Sequence, residues 1–474
     1  NSPQTVNEGD DGTAVTAVPA SGYHFVKWSD NNPSATRTDM NVTANLAVTA
    51  EFEQDAVILP PVVVPPVGTD LGKIVNSERN GQTVQTVVID RAALASKLTA
   101  AGIGATITLS LDDSKSDVVI GELSGDMFKI MEQMQAKLQI RTSIGSFTLP
   151  AKQLNLAALS ASLGGSSDLN GLKVRIEISV PTATVKKAVG DAAARFGLLE
   201  IAPPVEFSIT ASYGDKTVEV SRFNAYVQRT IALPEGTDPG KISTAIVVDP
   251  NGTVRQVPTK IVKDVGKSYA LISSLTNSTY AVVGHPVSFA DVAGHWASAA
   301  IKDLGARMVL EGTADGQFSP SREITRAEFA AIIVRGLGLK SEGGSATFSD
   351  VGADKWYASS VQAAVGYGLI SGMPDGSFHP SDRITREQAM VILGKAIALT
   401  GLPVDPTSST DDEVLNAFGD ADEASDWAKS GIAASIRSGL VTGRGAMELA
   451  PKANLTRAEV AQLIERLLQQ SGLI

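Results

Sequence analysis

The sequence predicts a multi-domain protein: a small β unit, a β-rich α+β middle domain and a helical C-terminal region made of three repeats. Three observations lead to this fold class. A chain of 474 residues is too long for one ordinary hydrophobic core. Its 43 glycines and its many Val, Thr, Ser and Ala residues favour strands and turns. Finally, one pattern occurs three times within the last 190 residues.

Composition excludes several functional classes. The chain has no cysteine, which rules out disulfides, thiolate metal sites and a cysteine nucleophile. Its formal net charge of −11 argues against sequence-independent binding to nucleic acid or to an anionic membrane. The longest apolar stretch, residues 56–67, is interrupted by four prolines, so it predicts a linker and no membrane span.

Residues 1–54 predict a small antiparallel β unit. Apolar and polar residues alternate in TAVTAVPASGYHFVKWSD and in LAVTAEFE, with Gly-, Asn- and Asp-rich breaks between the runs. The chain starts at Asn1 within this pattern, which predicts further material upstream. Residues 55–68 are the predicted Pro-rich linker.

Residues 69–284 predict an α+β domain that is rich in strands. The turn at Asp249–Gly252 predicts a hairpin. A stripe of methionines at helical spacing favours core packing, with a partner-binding groove as the alternative. Apolar runs predict strands at residues 83–90, 105–111, 172–180, 206–214 and 244–249. Helical patterns cover residues 91–102 and 182–197, and a longer segment through Met127, Met131, Met134 and Leu138.

We expect no enzyme activity, cofactor or metal site in this middle domain. It has no histidine, which removes His-based triads and most zinc sites, and it has no tryptophan for a sugar-cleaving cleft. A pair of catalytic carboxylates stays open, because sequence gives no distance between them. Asp112, Asp113 and Asp117 lack the Gly and Glu spacing of an EF-hand calcium loop, so a solvated turn is the favoured interpretation. The histidines of the chain are His24, His285, His295 and His379.

Three tandem repeats share a fixed register, and we place them at residues 285–341, 342–402 and 411–474. In each, a Trp precedes an Arg by thirty residues, a Gly precedes the same Arg by fourteen, and a Pro precedes it by six. An FxD element lies upstream of the Trp. The Asp, Trp, Gly, Pro and Arg positions are Asp291, Trp296, Gly312, Pro320 and Arg326; Asp350, Trp356, Gly372, Pro380 and Arg386; and Asp420, Trp427, Gly443, Pro451 and Arg457.

Each repeat predicts a short helix after the Trp, a Gly-rich turn, and a second helix opened by Thr-Arg. Thr325 and Glu328 have the spacing of a capping box. The Arg then falls at the first helical position, where the positive end of the helix dipole disfavours it. Its threefold recurrence predicts that the Arg and the helix N-terminus bind an external anion. The alternative is an ion pair with a carboxylate of the protein itself, such as the FxD aspartate. For the Trp residues, core packing is favoured over a sugar-stacking platform.

The order of FxD, Trp, Gly-rich turn, Pro and ITRAE resembles the S-layer homology repeat, and three copies are that family's usual complement. The resemblance implies that the repeats fold into one largely helical, pseudo-threefold spindle. It also implies that grooves between neighbouring repeats bind an anionic secondary cell-wall polymer, commonly through a pyruvate ketal. The run from Thr13 to Phe52 resembles the internalin B-type repeats of listerial surface proteins, whose usual role is that of a spacer.

The resemblance assigns the Arg of each repeat to the glycan and the Asp, Trp and Gly to the groove wall. The third copy departs most, because GRGAMEL replaces the PDG turn and Leu449 stands where the others have Phe318 and Phe378. The implied protein is secreted and bound non-covalently to polymer on the peptidoglycan of a Gram-positive bacterium. Its middle domain would be structural or adhesive, and self-association is left open. The alternative is a wall-tethered fragment of a polysaccharide-degrading enzyme whose catalytic part lies upstream.

Overall fold

The structure, a computed structural model, describes the chain outside residues 1–3, 20–22, 55–69, 112–115, 165–168, 250–251, 314, 342–347, 405–409 and 446. The predicted linker lies outside the described residues, as do Asp112 and Asp113 of the calcium hypothesis and the centre of the 249–252 turn. The described residues form two compact units, one within residues 1–62 and 262–266 and the other within residues 63–261 and 267–474. The chain is therefore multi-domain, as the sequence predicts.

The first unit is a small β structure organised around Trp28. This side chain is 6% exposed, and its indole Nε1 donates to the carbonyl oxygen of Ser34 at 2.8 Å. The guanidinium of Arg37 lies 5.3 Å from the centre of the indole. Strand structure predicted for residues 46–53 is found only from Ala50 onward. The strands form two antiparallel pairs: β1 (Val15–Thr16) with β3 (Thr36–Arg37), and β2 (Tyr23–Trp28) with β4 (Ala50–Gln54).

The middle domain contains two mixed sheets. Among pairs whose register is described, only β6–β8 and β7–β9 are parallel. The strands are β5 (Gly72–Arg79), β6 (Gln82–Ile89), β7 (Thr106–Ser110), β8 (Val118–Ser124), β9 (Lys137–Arg141), β10 (Gly145–Pro150), β11 (Lys173–Ser179), β12 (Leu199–Tyr213), β13 (Lys216–Glu219), β14 (Arg222–Ala232), β15 (Thr244–Val248), β16 (Val254–Val257), β17 (Thr259–Asp264), β18 (Lys267–Thr276) and β19 (Ser278–Gly284). One sheet has the order β16-β15-β19-β12-β11-β8-β6-β5, with β13 beside β12, and the other has the order β17-β18-β14-β10-β9-β7.

The two sheets share one apolar core. Phe147 of one sheet meets Phe207 of the other with ring centroids 5.6 Å apart, and Phe207 meets Tyr280 at 5.9 Å. Arg229 is fully buried among these three rings, and its Nη2 donates to Asn277 Oδ1 at 3.0 Å. The helices of this domain are α1 (Arg91–Ala101), α2 (Gly125–Gln133), α3 (Leu156–Ser162) and α4 (Ala183–Arg195).

The predicted helix through Met127 and Leu138 is wrong in its second half. Helix α2 ends at Gln133, and Leu138 lies in β9. The chain leaves the helix because Gln135 adopts a left-handed conformation with φ of 52°. Met131 is fully buried, and Met127 and Met134 pack against the same core. These methionines therefore fill the core and do not form a groove for a partner.

Each C-terminal repeat contains a helix after its Trp and a second helix that begins at its Arg, as predicted. Three backbone bonds join the segments before the second helices: Ile324 N donates to Leu455 O at 2.9 Å, Ile384 N to Ile324 O at 3.1 Å, and Leu455 N to Ile384 O at 3.1 Å. We call these bonds the closed cycle. One apolar core contains residues of all three repeats. The helices are α5 (Ser298–Ala306), α6 (Arg326–Gly336), α7 (Ala358–Gly366), α8 (Arg386–Thr400), α9 (Asp411–Leu415), α10 (Lys429–Arg437) and α11 (Arg457–Gln470).

Candidate functional site

The second helix of each repeat begins with a complete capping box. In α6, Thr325 Oγ1 accepts from the backbone N–H of Glu328 at 3.2 Å, and the Glu328 carboxylate accepts from the Thr325 N–H at 2.9 Å. The same reciprocal bonds open α8 and α11. Since the cap fixes where each helix starts, the Arg of each repeat occupies the first helical position, as the sequence predicts.

Each of these arginines is buried and binds the backbone of another repeat. Their exposed fractions are only 6–7%. Among the described residues, none of the three pairs with an FxD aspartate within 4.0 Å, but Arg386 and Arg457 lie 3.7 and 3.8 Å from other internal carboxylates, so the alternative of an internal ion pair holds for these two. In addition, the first repeat bonds to the second, the second to the third and the third to the first. The Nε donors and carbonyl acceptors are Arg326 to Phe378 at 2.9 Å, Arg386 to Leu449 at 2.9 Å, and Arg457 to Phe318 at 2.7 Å.

Two of the three guanidinium groups also lie over an aromatic ring. Arg457 is 4.3 Å from the ring centre of Phe318, and Arg326 is 4.9 Å from that of Phe378. Such contacts stabilise a desolvated cation by roughly 2 kcal/mol. Arg386 faces Leu449 and has no ring in the equivalent place. The replacement of Phe by Leu449 in the third repeat therefore removes the aromatic ring beside the arginine of the second repeat.

The FxD aspartates hold the turns that carry those carbonyl groups. Asp291 accepts from the N–H groups of Phe318 and Ser319 at 2.8 and 2.6 Å, and Asp350 and Asp420 accept from the equivalent pairs. Burial would raise the pKa of Asp291, but the two backbone N–H groups outweigh it and lower the pKa below its ordinary value. Each aspartate thus positions the carbonyl oxygen that an arginine of another repeat binds.

The glycines that occupy the same position in each repeat provide space for the phenylalanine of the FxD element. A Cβ atom added to Gly312 would lie 2.9 Å from the Phe289 ring, and one added to Gly443 would lie 2.9 Å from the Phe418 ring. The same collision with Phe348 would occur at Gly372. These contacts give the glycines a packing role, and their predicted role in the groove wall stays a prediction.

The three repeat tryptophans lie at the surface. Trp296, Trp356 and Trp427 are 63%, 60% and 59% exposed. The sequence favours core packing for these side chains, and that prediction is wrong because each is more than half exposed. Each stands directly before the first helix of its repeat, where that helix is held by the surrounding core while the indole remains outside. An exposed indole offers a flat apolar face, which is the geometry that stacking on a sugar ring requires.

The arginines differ in how their charge is balanced. Arg386 Nη1 lies 3.7 Å from the carboxylate of Glu459, and Arg457 Nη1 lies 3.8 Å from that of Glu328. The equivalent partner for Arg326 is the neutral Gln388. Within the described part of the chain, the terminal nitrogens of Arg326 make neither a hydrogen bond nor an ion pair, and they retain contact with solvent.

Burial lowers the pKa of Arg326, and the nearby charges of Asp382 and Asp350 offset only part of this effect. A guanidinium in such a place still carries its full charge at neutral pH. The boundary between the first and second repeats therefore holds a largely buried cation whose terminal nitrogens are still accessible to solvent.

His379 is a residue of this boundary that sequence reasoning gave no role. It adopts φ of 57°, and its N–H donates to Asp350. Its Nδ1 lies 2.8 Å from Asp382, and this hydrogen bond raises the pKa of the imidazole. The signal was available in the alignment of the repeats, because the other copies have Ser319 and Ala450 at this position.

Comparison with known proteins agrees with this architecture. Sequence profiles match the S-layer homology domain at residues 288–330, 347–390 and 417–461, and the divergent InlB B-repeat domain at residues 1–56. The chain therefore carries three S-layer homology domains at its C-terminal end and one InlB-type repeat at its N-terminal end. Among the described residues, no helix combines the length and the apolar character that are needed to cross a membrane.

Relatives include both surface-layer proteins and proteins with enzyme names. An amylopullulanase of Thermoanaerobacterium thermosulfurigenes is 29% identical over 78% of this chain and 19% of its own length. Exoglucanase XynX of Acetivibrio thermocellus is 37% identical over 42% of the chain and 18% of its length. The surface-layer 125 kDa protein of Lysinibacillus sphaericus is 33% identical over 37% of the chain and 14% of its length.

The chain thus spans less than a fifth of the length of these relatives. Its S-layer homology domains and its surface-layer relatives identify it as a protein of the cell surface or cell wall. The enzyme names belong to proteins that are matched only in part, so they assign no catalytic activity to these residues.

Proposed function

We propose that this chain anchors a surface protein non-covalently to the bacterial cell wall, with its repeats binding an anionic secondary cell-wall polymer. The observation that carries the proposal is Arg326, a buried cation fixed through Nε at a helix N-terminus and, among the described residues, without a carboxylate within 4.0 Å. A carboxylate such as that of a pyruvate ketal would bind its terminal nitrogens with charge-assisted hydrogen bonds. The middle domain is structural or adhesive in this proposal.

We further propose that the three repeats form one pseudo-threefold, largely helical spindle. Support comes from the closed cycle and from the three arginine bonds, each of which crosses one boundary between repeats. Each boundary then provides a groove. Trp296, Trp356 and Trp427 would stack on sugar rings, while the aspartates and glycines would hold the groove in shape.

The groove at the first boundary is the strongest candidate for the anionic group. Arg386 and Arg457 each lie within 4.0 Å of an internal carboxylate, which Arg444 or Arg322 also binds at 2.6 Å, and an external anion would have to compete with that carboxylate. It would also meet the charge of Glu459 or Glu328 directly. At Arg326 the equivalent residue is the uncharged Gln388, and the negative charges that act on this arginine, those of Asp382 and Asp350, lie beyond 4.0 Å.

The test compares Arg326→Gln with Arg386→Gln in the full chain. Each variant removes a guanidinium that bonds to a carbonyl of the next repeat; Arg326→Gln also removes the contact with the Phe378 ring, and Arg386→Gln removes the pair with Glu459. We expect Arg326→Gln to weaken binding to purified polymer about tenfold or more, which corresponds to about 1.4 kcal/mol or more. Arg386→Gln should weaken it less than about threefold. Titration calorimetry measures both affinities, and thermal unfolding verifies that each variant is folded.

Unchanged affinity in a folded Arg326→Gln variant would remove the arginine from the binding site. Equal losses in the two variants would contradict the preference for the first boundary. Pelleting with cell-wall sacculi before and after chemical removal of the polymer provides the control for the ligand. Binding that survives its removal would refute the polymer as the ligand.

A second candidate is suggested by the relatives with enzyme names: the chain would be the wall-attachment part of a longer polysaccharide-degrading enzyme. The observation that favours it is the amylopullulanase match, whose coverage of 78% exceeds the extent of the repeats. Extraction of the protein from cells, followed by measurement of its mass and of starch hydrolysis in the same gel band, tests this candidate. A native mass near 49.3 kDa without hydrolysis would reject it.

A further inference from the structure

We propose that the middle domain is the structural base of the repeats, and that the two form one cooperative folding unit. The surface responsible consists of Tyr226, Arg255, Gln256 and Pro258, which we call the capping edge. Its partner is the C-terminal end of α6 in the first repeat. This inference assigns a role to the middle domain and does not depend on the identity of the wall ligand.

The last carbonyl groups of a helix have no partner within the helix and need one from elsewhere. At the end of α6, Tyr226 Oη donates to Leu337 O at 2.7 Å and Arg255 Nη1 donates to Gly338 O at 2.6 Å. Gln256 Nε2 donates to Gly336 O at 3.2 Å and also to the carbonyl oxygen of Arg335. Three side chains of the middle domain therefore satisfy four consecutive carbonyl groups of the first repeat.

The chain after α6 also approaches the capping edge closely. Gly338 has φ of 61°, and a Cβ atom added there would lie 2.7 Å from Pro258 Cδ and 3.1 Å from the Gln256 carbonyl oxygen. Burial raises the pKa of Tyr226, so its hydroxyl remains a donor across the physiological range. Leu275 of β18 belongs to the apolar core of the repeats. The hydrophobic interior thus continues across the boundary between the middle domain and the repeats.

Contacts outside the capping edge extend the interface to other elements. Arg307, which follows α5, donates through Nη1 to Thr259 O at 2.8 Å. The Arg222 guanidinium lies 4.5 Å from the ring centre of Tyr367 in the second repeat. An isolated linker between independent domains would be exposed and would carry few contacts. Here the middle domain binds two repeats, and loss of the interface would leave buried donors and acceptors unsatisfied on both sides.

The amylopullulanase relative supports the same conclusion. Its match covers 78% of the chain, whereas the three repeat profiles lie between residues 288 and 461. The similarity therefore continues from the repeats into the middle domain. In this relative, the repeats and at least part of the middle domain therefore occur together.

The test uses hydrogen–deuterium exchange on the full chain without any glycan. The double variant Arg255→Met with Gln256→Met removes the donors and keeps the side-chain volume. We expect exchange in peptides covering residues 330–340 to accelerate at least tenfold, because the end of α6 loses its partners. Tyr226→Phe, which deletes one hydroxyl, should accelerate it roughly threefold to tenfold.

Arg175→Met with Gln82→Met is the matched control. These residues also donate, to Glu122 and to the Val180 carbonyl, but they lie on β11 and β6, away from β16 in the sheet order. Exchange at residues 330–340 should be unchanged in this control. Equal exchange of α6 in the wild type and the capping-edge variant would overturn the proposal. The proposal would also be overturned if, in the wild-type chain at increasing urea concentration, the amides of the repeats exchanged while those of β15 and β19 remained protected.

Discussion

At the scale of single residues, the FxD aspartates show how a charged group can stabilise a turn. Each carboxylate accepts two backbone N–H bonds, and in the first repeat these bonds reach Phe318 and Ser319. Ser319 has φ of 58°, a conformation that costs free energy for a residue with a side chain. The aspartate offsets this cost only while it is ionised. The stability of the repeats therefore depends on pH through these aspartates, to which we assign a structural role.

The direction of that dependence follows from the lowered pKa of Asp291. Since the folded-state pKa lies below the unfolded-state value of about 3.9, its stabilisation is complete above that value. It is lost as pH falls through the folded-state pKa. We expect Asp291→Asn to lower the free energy of unfolding by about 1–2 kcal/mol at pH 6. Below pH 4, the free energy of unfolding of the variant should fall less steeply with decreasing pH than that of the wild type. Urea unfolding between pH 6 and 3 measures both profiles, and parallel profiles would contradict the prediction.

At the scale of secondary-structure elements, the three capping boxes set the starting point of the helices that carry the arginines. In α11, Thr456 Oγ1 accepts from Glu459 N at 3.3 Å, and the Glu459 carboxylate accepts from Thr456 N at 2.8 Å. Displacement of this start by one residue would rotate Arg457 by about 100° around the helix axis. The cap therefore contributes to the position of the side chain as well as to stability.

Removal of one cap should be measurable in isolation. We expect Thr456→Ala to lower the free energy of unfolding by about 1 kcal/mol, because an N–H group at the start of α11 loses its acceptor. Thr456→Ser keeps the hydroxyl and serves as the control, with a change below about 0.5 kcal/mol. Chemical denaturation followed by circular dichroism reports both values. An alanine variant as stable as the serine variant would show that the cap hydroxyl contributes nothing.

Local features of these elements could be predicted from sequence, whereas contacts between distant segments could not. The capping boxes and the arginine positions were predicted because they depend on residues three apart. The carbonyl partners of the arginines were missed, because Arg326 and Phe378 meet only after two repeats have packed. The prediction that the repeat tryptophans are buried was wrong for the same reason, because burial depends on which surfaces the packed repeats cover. The α2 boundary was missed because methionine spacing gives no indication of the left-handed Gln135.

At the scale of the whole molecule, the two compact units differ in how much they bury. Among the described residues of 1–54, only Ala17, Trp28 and Arg37 are buried. Small units that bury little surface have low stability. The second unit contains two extensive apolar cores, one in the middle domain and one shared by the repeats.

We therefore expect the first unit to unfold at a lower temperature than the rest of the chain. Limited proteolysis at increasing temperature, with fragments identified by mass spectrometry, should give cleavage within residues 4–54 before cleavage within residues 72–474. Removal of residues 1–54 should leave the midpoint of the main transition unchanged within about 2 °C. Simultaneous cleavage of both parts would contradict the expected order.

The closed cycle has a consequence for how the number of repeats can change over evolutionary time. Ile324, Ile384 and Leu455 each supply one donor and one acceptor, so the cycle has neither a beginning nor an end. A gene that lost one copy would leave two mismatched surfaces facing each other, and a gene that gained one would encode a copy with no place in the cycle. The three donors and three acceptors are used up by three repeats. We therefore expect a chain with two or four copies to leave part of the cycle without partners.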